Sequence, residues 1–170
     1  MEVMTQPMPA IREFLEPQQL GMSRAGPAKL VNTVRGMMEL HPNFVCCSLD
    51  LYNCYNEQQR GATVEVLRDT PSLQHLVTFA AAILAPEPAL ESGGRVWGDS
   101  NTGMGQGDPS SGAFQATGQH PSLLKLEQAC RAGGGLAVAG ADDTYAIGPP
   151  EVVLPAVQRY SKDIWARANL

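Results

Sequence analysis

The spacing of apolar positions changes several times along the chain, and each change marks an element. Leu30, Val31, Val34, Met37 and Met38 recur at helical spacing behind Pro27, which predicts a helix ending before His41–Pro42. FVCCSLDL, from Phe44 to Leu51, is a short apolar run that predicts a buried strand with Asp50 at its C-terminal end. Asn56 predicts the start of a helix through Arg68, with Val64 and Leu67 inward. Thr70–Pro71 predicts another, carrying Leu73, Leu76, Val77, Ala80 and Leu84. A small hairpin follows at ALESGGRVW, around Ser92, Gly93 and Gly94.

Beyond the glycine-rich TGMGQGDP, Asp108 reads as an N-cap with Pro109 at the first helical position. That helix restarts or kinks at Pro121, takes its apolar side from Leu123, Leu124 and Leu126, and ends at Gly133–Gly135. LAVAGADDTYAIG, from Leu136 to Gly148, alternates as strand, turn, strand, with Ala141, Asp142 and Asp143 near the bend. A last helix from about Glu151 carries Val152, Val153, Val157, Tyr160, Ile164 and Trp165. Before all of these, Pro7, Pro9 and Pro17 and the lack of sustained periodicity predict an extended lead-in. The order predicts an α+β fold, with a small antiparallel sheet backed by helices.

The 170 residues suit one domain with a real core, and 44% hydrophobic with 17% charged residues is a globular composition. Cys46, Cys47, Cys54 and Cys130 form no CxxC pair, and His41, His75 and His120 stand apart from them, so zinc spacing is absent and reduced thiols are expected. The N-terminus has an early glutamate and no apolar signal core, and LVTFAAAILA is too short for a membrane span. A soluble, intracellular protein, nuclear or cytoplasmic and without a membrane partner, is the expectation.

The adjacent aspartates Asp142 and Asp143 need explaining, because two carboxylates about 4 Å apart repel by roughly 4 kcal/mol at an effective dielectric near 20. Solvent at an exposed turn, a helix N-terminus or a bound cation would each offset that. Aspartates are common in hairpin turns for purely conformational reasons, and a lone aspartate at a strand end commonly caps or is solvated. If the Phe44 strand lies beside the hairpin, however, Asp50 and Asp142 come together from opposite parts of the sequence. Hard oxygen donors without histidine or thiolate favour Mg²⁺ or Mn²⁺. Two such ions about 3.5 to 4 Å apart serve phosphoryl transfer by activating the attacking hydroxyl and stabilising the leaving oxygen.

Three local sequences join the aspartates. DLYNCYN (Asp50–Asn56), GQGDP (Gly105–Pro109) and GADD (Gly140–Asp143) occur in the order of the three palm motifs of reverse transcriptases. The chain resembles most the enzymes of non-long-terminal-repeat, LINE-type retrotransposons, and PQQLGMSRAG (Pro17–Gly26) is similar to the segment before their first palm helix. The resemblance spans residues 17–170, leaving 1–16 as lead-in. It implies a palm-like antiparallel sheet backed by helices, with fingers and thumb largely absent, and RNA-directed DNA polymerisation by two-metal nucleotidyl transfer.

Carried onto this chain, the resemblance implies that Asp50 and Asp142 are catalytic, metal-binding carboxylates, that Asp143 supports them, and that the Leu51 carbonyl reaches a metal. It implies nucleotide contacts from Asn53 and Cys54, from Tyr55 beneath the sugar, and from Gln106 and Gly107. Tyr55 also reads as a core aromatic. Mg²⁺ or Mn²⁺ would be the cofactor, and RNA template, DNA primer, deoxynucleoside triphosphates and the rest of a retrotransposon polyprotein the partners. The glycines of GMGQG fit neither a phosphate-binding loop nor a dinucleotide fingerprint.

The chain also departs from the family pattern. Gly140 stands where the third motif has a bulky residue, and GAFQATGQ is more polar and glycine-rich than a buried helix, predicting a loose one. A net charge of -5 provides no basic field for a duplex. The basic finger motifs, the later palm strand and the thumb lie outside the chain, which predicts a fragment with weak or no autonomous polymerisation. The alternative is a non-catalytic remnant serving at most as an interaction module. A sheet-based RNA-binding module would need exposed strand aromatics beside basic residues, a stripe that is missing.

Overall fold

The computed structural model describes residues 7–85, 89–105 and 107–170. At its centre, three antiparallel strands lie in the order β1 (Val45–Leu49), β5 (Asp143–Gly148), β4 (Leu136–Gly140). A second, separate hairpin pairs β2 (Ala89–Ser92) with β3 (Arg95–Asp99) and is exposed along its length. The fold is α+β, with antiparallel sheets and helices.

Strand register assigns each side chain to a face of the central sheet. Val45, Cys47 and Leu49 of β1 share one face with Ala146 and Thr144 of β5 and Ala137 and Ala139 of β4. Against it pack α6 (Ser111–Arg131) and α7 (Pro150–Ala168), through Leu123, Leu126, Cys130, Val153, Tyr160 and Ile164. The run of alanines keeps this face shallow. The other face meets α2 (Gly26–Leu40), where a Cβ added to Gly140 would lie 2.7 Å from Leu30 Cδ2. Gly140 is therefore fixed by packing, since Leu30 fills the space a side chain would need.

A second core joins α1 (Met8–Leu15), α4 (Arg60–Asp69), a 3₁₀ segment (Pro71–Leu76), α5 (Val77–Leu84) and the first half of α6. Here the structure corrects the extended lead-in expected for residues 1–16 over its described part, from residue 7 onward; residues 1–6 lie outside the described residues. Pro7 and Pro9 lie at the start of α1, where a missing N–H is harmless, and Ile11 and Leu15 are fully buried. The helix expected from Asn56 to Arg68 is divided into α3 (Cys54–Glu57) and α4, with buried Gln58 between them.

The loose helix expected at GAFQATGQ is also corrected, because every residue from Ala113 to His120 is buried. The side chains of Gln115, Thr117 and Gln119 each find a partner, while His120 Nδ1 has none. Gln58 Nε2 donates to Thr63 Oγ1 and to the Gln115 carbonyl, Gln119 Nε2 donates to Gln58 Oε1, and Thr63 Oγ1 donates to the Phe114 carbonyl. Buried polar groups cost little when each finds a partner. Gly118 makes room for this network: an added Cβ would lie 2.3 Å from Gln58 Nε2. The helix runs on through Pro121 as a single element. Among the described residues, no helix is long and apolar enough to cross a membrane.

Candidate functional site

The β1–β5 register places Leu49 opposite Thr144, so Asp50 follows β1 at the end of the sheet where Asp143 begins β5. Asp143 itself pairs with Gly140, leaving Ala141 and Asp142 as a two-residue turn between β4 and β5. Asp50 and the adjacent pair Asp142 and Asp143, far apart in the chain, thus share one end of the sheet. Asp50 and Asp143 are exposed and Asp142 is half-buried. Among the described residues none of the three makes an ion pair.

Cys54 reports on the field around the turn. Burial, with further contributions from the Asp142 and, more weakly, Asp50 carboxylates, pushes its thiol up to about 11. Tyr55 is raised in the same way, by burial first and then by Asp142. Both carboxylates therefore act on the first turn of α3. The ring of Tyr55 is half-buried against both cores, and its hydroxyl would lie 3.4 Å from a Cβ on Gly112. Leu51 and Cys54 are buried, while Asn53, with φ of 50°, turns the chain into α3 and is exposed.

The loop before α6 is stitched to the same region. The Met104 N–H donates to the Tyr55 carbonyl at 2.5 Å, Gly103 N–H to the Gln58 carbonyl at 2.9 Å, and Thr102 Oγ1 to the Asn56 carbonyl at 2.9 Å. Gly103 has φ of +74° and approaches so closely that a Cβ would lie 2.5 Å from the Asn56 carbonyl oxygen. Arg60 braces the loop by donating to the carbonyls of Gly103 and Thr102 and to Ser100 Oγ. Gly107 lies in this loop, exposed and with φ of +91°; Gln106 lies outside the described residues.

Asp108 departs from the expected role of helix cap. The helix begins two residues later than that role requires, at Ser111, and Asp108 Oδ1 instead accepts the Ser110 N–H at 2.7 Å. The loop and Arg60 line a cleft of about 580 Å³ that also includes Asn56, Leu90 and Ser111 but none of the three aspartates. Arg60 is engaged with the loop's carbonyls and Ser100 Oγ, so the acidic sheet end remains the better candidate for chemistry.

Among the described residues, no three of His, Cys, Asp and Glu form a complete metal-ligand set. Mg²⁺ is commonly held by only one or two carboxylates and completed by substrate phosphates and water, so a site of that kind does not require three protein ligands.

No protein-family model matches the chain, and no curated protein matches it. Among solved structures it is similar to an apo telomerase from Candida tropicalis truncated from its C-terminal domain. The match has a TM-score of 0.67 and 14% identity, covering 98% of this chain and 37% of the telomerase. The likeness is one of fold: the chain folds like a part of that telomerase. The chain spans little more than a third of that telomerase's length.

A residue with a part in this site that motif reading passes over is Gln19. It is 2% exposed, and its side chain binds the backbone of Ala141 from both sides. PQQLG was legible as a segment, but nothing local to it indicates a partner more than 100 residues later.

Proposed function

We propose that the chain is a palm-like part of a LINE-type retrotransposon reverse transcriptase, built for RNA-directed DNA polymerisation. The observation that carries this reading is the placing of Asp50 and Asp142 at one sheet end, where among the described residues neither makes an ion pair, inside a fold like that of a telomerase. In this reading Asp50, Asp142 and the Leu51 carbonyl hold Mg²⁺ or Mn²⁺, and Asp143 supports them. When bound, the cations would favour attack of a primer 3′-hydroxyl on a deoxynucleoside triphosphate. The backbone near Asn53 and Cys54 faces the triphosphate, Tyr55 limits space beneath the sugar, and Gln106 and Gly107 help position nucleotide and template. RNA template and DNA primer are the macromolecular partners, and the reaction belongs inside the cell.

A second reading, a remnant without catalysis, is favoured by the net charge of -5. Polymerases release counterions when basic residues meet the nucleic-acid backbone, and this chain has little to offer that term. Primer extension on poly-rA with Mg²⁺ or Mn²⁺ separates the two. Incorporation that Asp142→Asn abolishes supports the polymerase; no incorporation by a folded wild-type chain leaves the remnant.

A further inference from the structure

We infer that Gln19 is a positioning residue for the acidic turn: it fixes the peptide plane that precedes Asp142, and through it the presentation of the Asp142 carboxylate to a divalent cation. The inference rests on the cation reading above and deepens it.

A two-residue hairpin turn is ordinarily the least constrained point of a sheet, because its central peptide faces water and can rotate. Here that peptide is held. Gln19 Nε2 donates to the Ala141 carbonyl at 2.8 Å, and Gln19 Oε1 accepts the Ala141 N–H at 2.9 Å. The Ala141 carbonyl belongs to the peptide unit that leads into Asp142, so its rotation would break the first of these bonds and swing the carboxylate. Ala141 has φ of 61°, a conformation an alanine adopts at a cost of about 1–2 kcal/mol. The bonds from Gln19 help keep it there.

The clamp is itself anchored on both sides. Leu20 N–H donates to the Ala139 carbonyl and Ala139 N–H donates to the Gln18 carbonyl, both at 2.7 Å, so the backbone around Gln19 is tied to β4 two residues before the turn. Gln19 Oε1 also accepts the Gly21 N–H at 2.8 Å, which orients the side-chain amide. Gly21 closes over the turn so tightly that an added Cβ would lie 2.5 Å from the Ala141 nitrogen. A primary amide is needed for this arrangement, because it supplies a donor and an acceptor in one plane. Glutamate would keep only the acceptors, and methionine neither.

The test uses the full chain and two readouts, amide exchange at Ala141 and Asp142 followed by NMR, and Mn²⁺ affinity from the free-ion EPR signal. Wild type, Gln19→Met, Gly21→Ala and Asp142→Asn are compared, with exchange at Ala146 reporting whether the sheet remains intact. Faster exchange at Ala141, unchanged exchange at Ala146, and Mn²⁺ binding about tenfold weaker in Gln19→Met and Gly21→Ala are expected, the low end of what groups supporting metal ligands contribute. Mn²⁺ affinity equal to wild type in Gln19→Met overturns the positioning role while leaving the cation site standing. If Gln19→Met loses the sheet, Gly21→Ala decides: wild-type affinity there overturns the role, and a tenfold loss supports it. Failure of the wild type to bind Mn²⁺ in an Asp142-dependent way overturns the cation reading, and this inference with it.

Discussion

The side-chain amide of Gln19 holds both backbone polar groups of Ala141, a residue 122 positions later in the chain. It stands in for the neighbouring strand that a turn residue lacks, and it does so at a positive φ. Substitutions at Ala141 should therefore sort by backbone conformation. Ala141→Val, β-branched where φ is positive, is expected to destabilise by about 1–3 kcal/mol, and Ala141→Gly to change stability by less than about 1 kcal/mol. Urea unfolding of the two variants checks this; equal losses would show that the turn is not held at its positive φ.

Two helical glycines should respond to alanine with opposite sign. Gly36, in α2, has nothing within 4 Å of an added Cβ, whereas at Gly118 the Cβ would meet Gln58 Nε2 at 2.3 Å and Thr63 Oγ1 at 2.7 Å. Gly36→Ala is expected to stabilise by about 0.5–1 kcal/mol through helix propensity. Gly118→Ala is expected to destabilise by about 1–3 kcal/mol, because overpacking displaces the buried amide network. Thermal or urea midpoints suffice, and a stabilising Gly118→Ala would refute the network's packing.

His120 should make stability depend on pH. It is 2% exposed, its Nδ1 has no hydrogen-bond partner, and burial lowers its pKa to about 4, against an opposing contribution from the Phe14 backbone. The folded-state value lies below the unfolded one of about 6.5, so the neutral ring is the form the fold retains. This contribution is complete above about pH 6.5 and is lost as pH falls towards 4, by up to roughly 3 kcal/mol. Urea midpoints at pH 7, 5.5 and 4.5 should fall in the wild type and fall less in His120→Leu. Parallel pH profiles would assign the loss to other groups.

Arg60 should matter to the loop more than its position at the start of α4 suggests. Its guanidinium donates to the Gly103, Thr102 and Leu84 carbonyls and to Ser100 Oγ. Lysine cannot reproduce a planar fork with five N–H donors. Arg60→Ala is expected to cost about 2–4 kcal/mol, and Arg60→Lys to recover only part of it. Amide exchange at residues 100–105 should rise in both; full recovery by lysine would show that charge alone matters.

Much of the architecture was legible in the sequence because its causes are local. Helical spacing behind Pro27 announced α2, the alternation of LAVAG and TYAIG announced the hairpin, and Pro150 sits at the first position of α7, where the ring is tolerated, while Pro155 lies inside that helix. Asp50, Asp142 and Asp143 could be named because their motifs are contiguous and ordered. The lead-in was misread for an equally local reason: Pro7 and Pro9 look like breakers, yet Ile11 and Leu15, four residues apart, form the apolar side of α1.

What only the tertiary structure decided is who satisfies whom. Polar residues in the first half of α6 predict exposure if their neighbours are water, and burial if their neighbours are Gln58 and Thr63; composition is the same in both cases. Likewise Gly140 is a missing side chain in the motif but a seat for Leu30 in the fold. The sequence determined the elements and the aspartates, through periodicity and spacing that act over a few residues. The pairing of β1 with β5, the reach of Gln19 to Ala141 and the stitching of the loop to α3 were decided by chain folding, since hydrogen bonds between residues 40 to 120 positions apart leave no periodic trace.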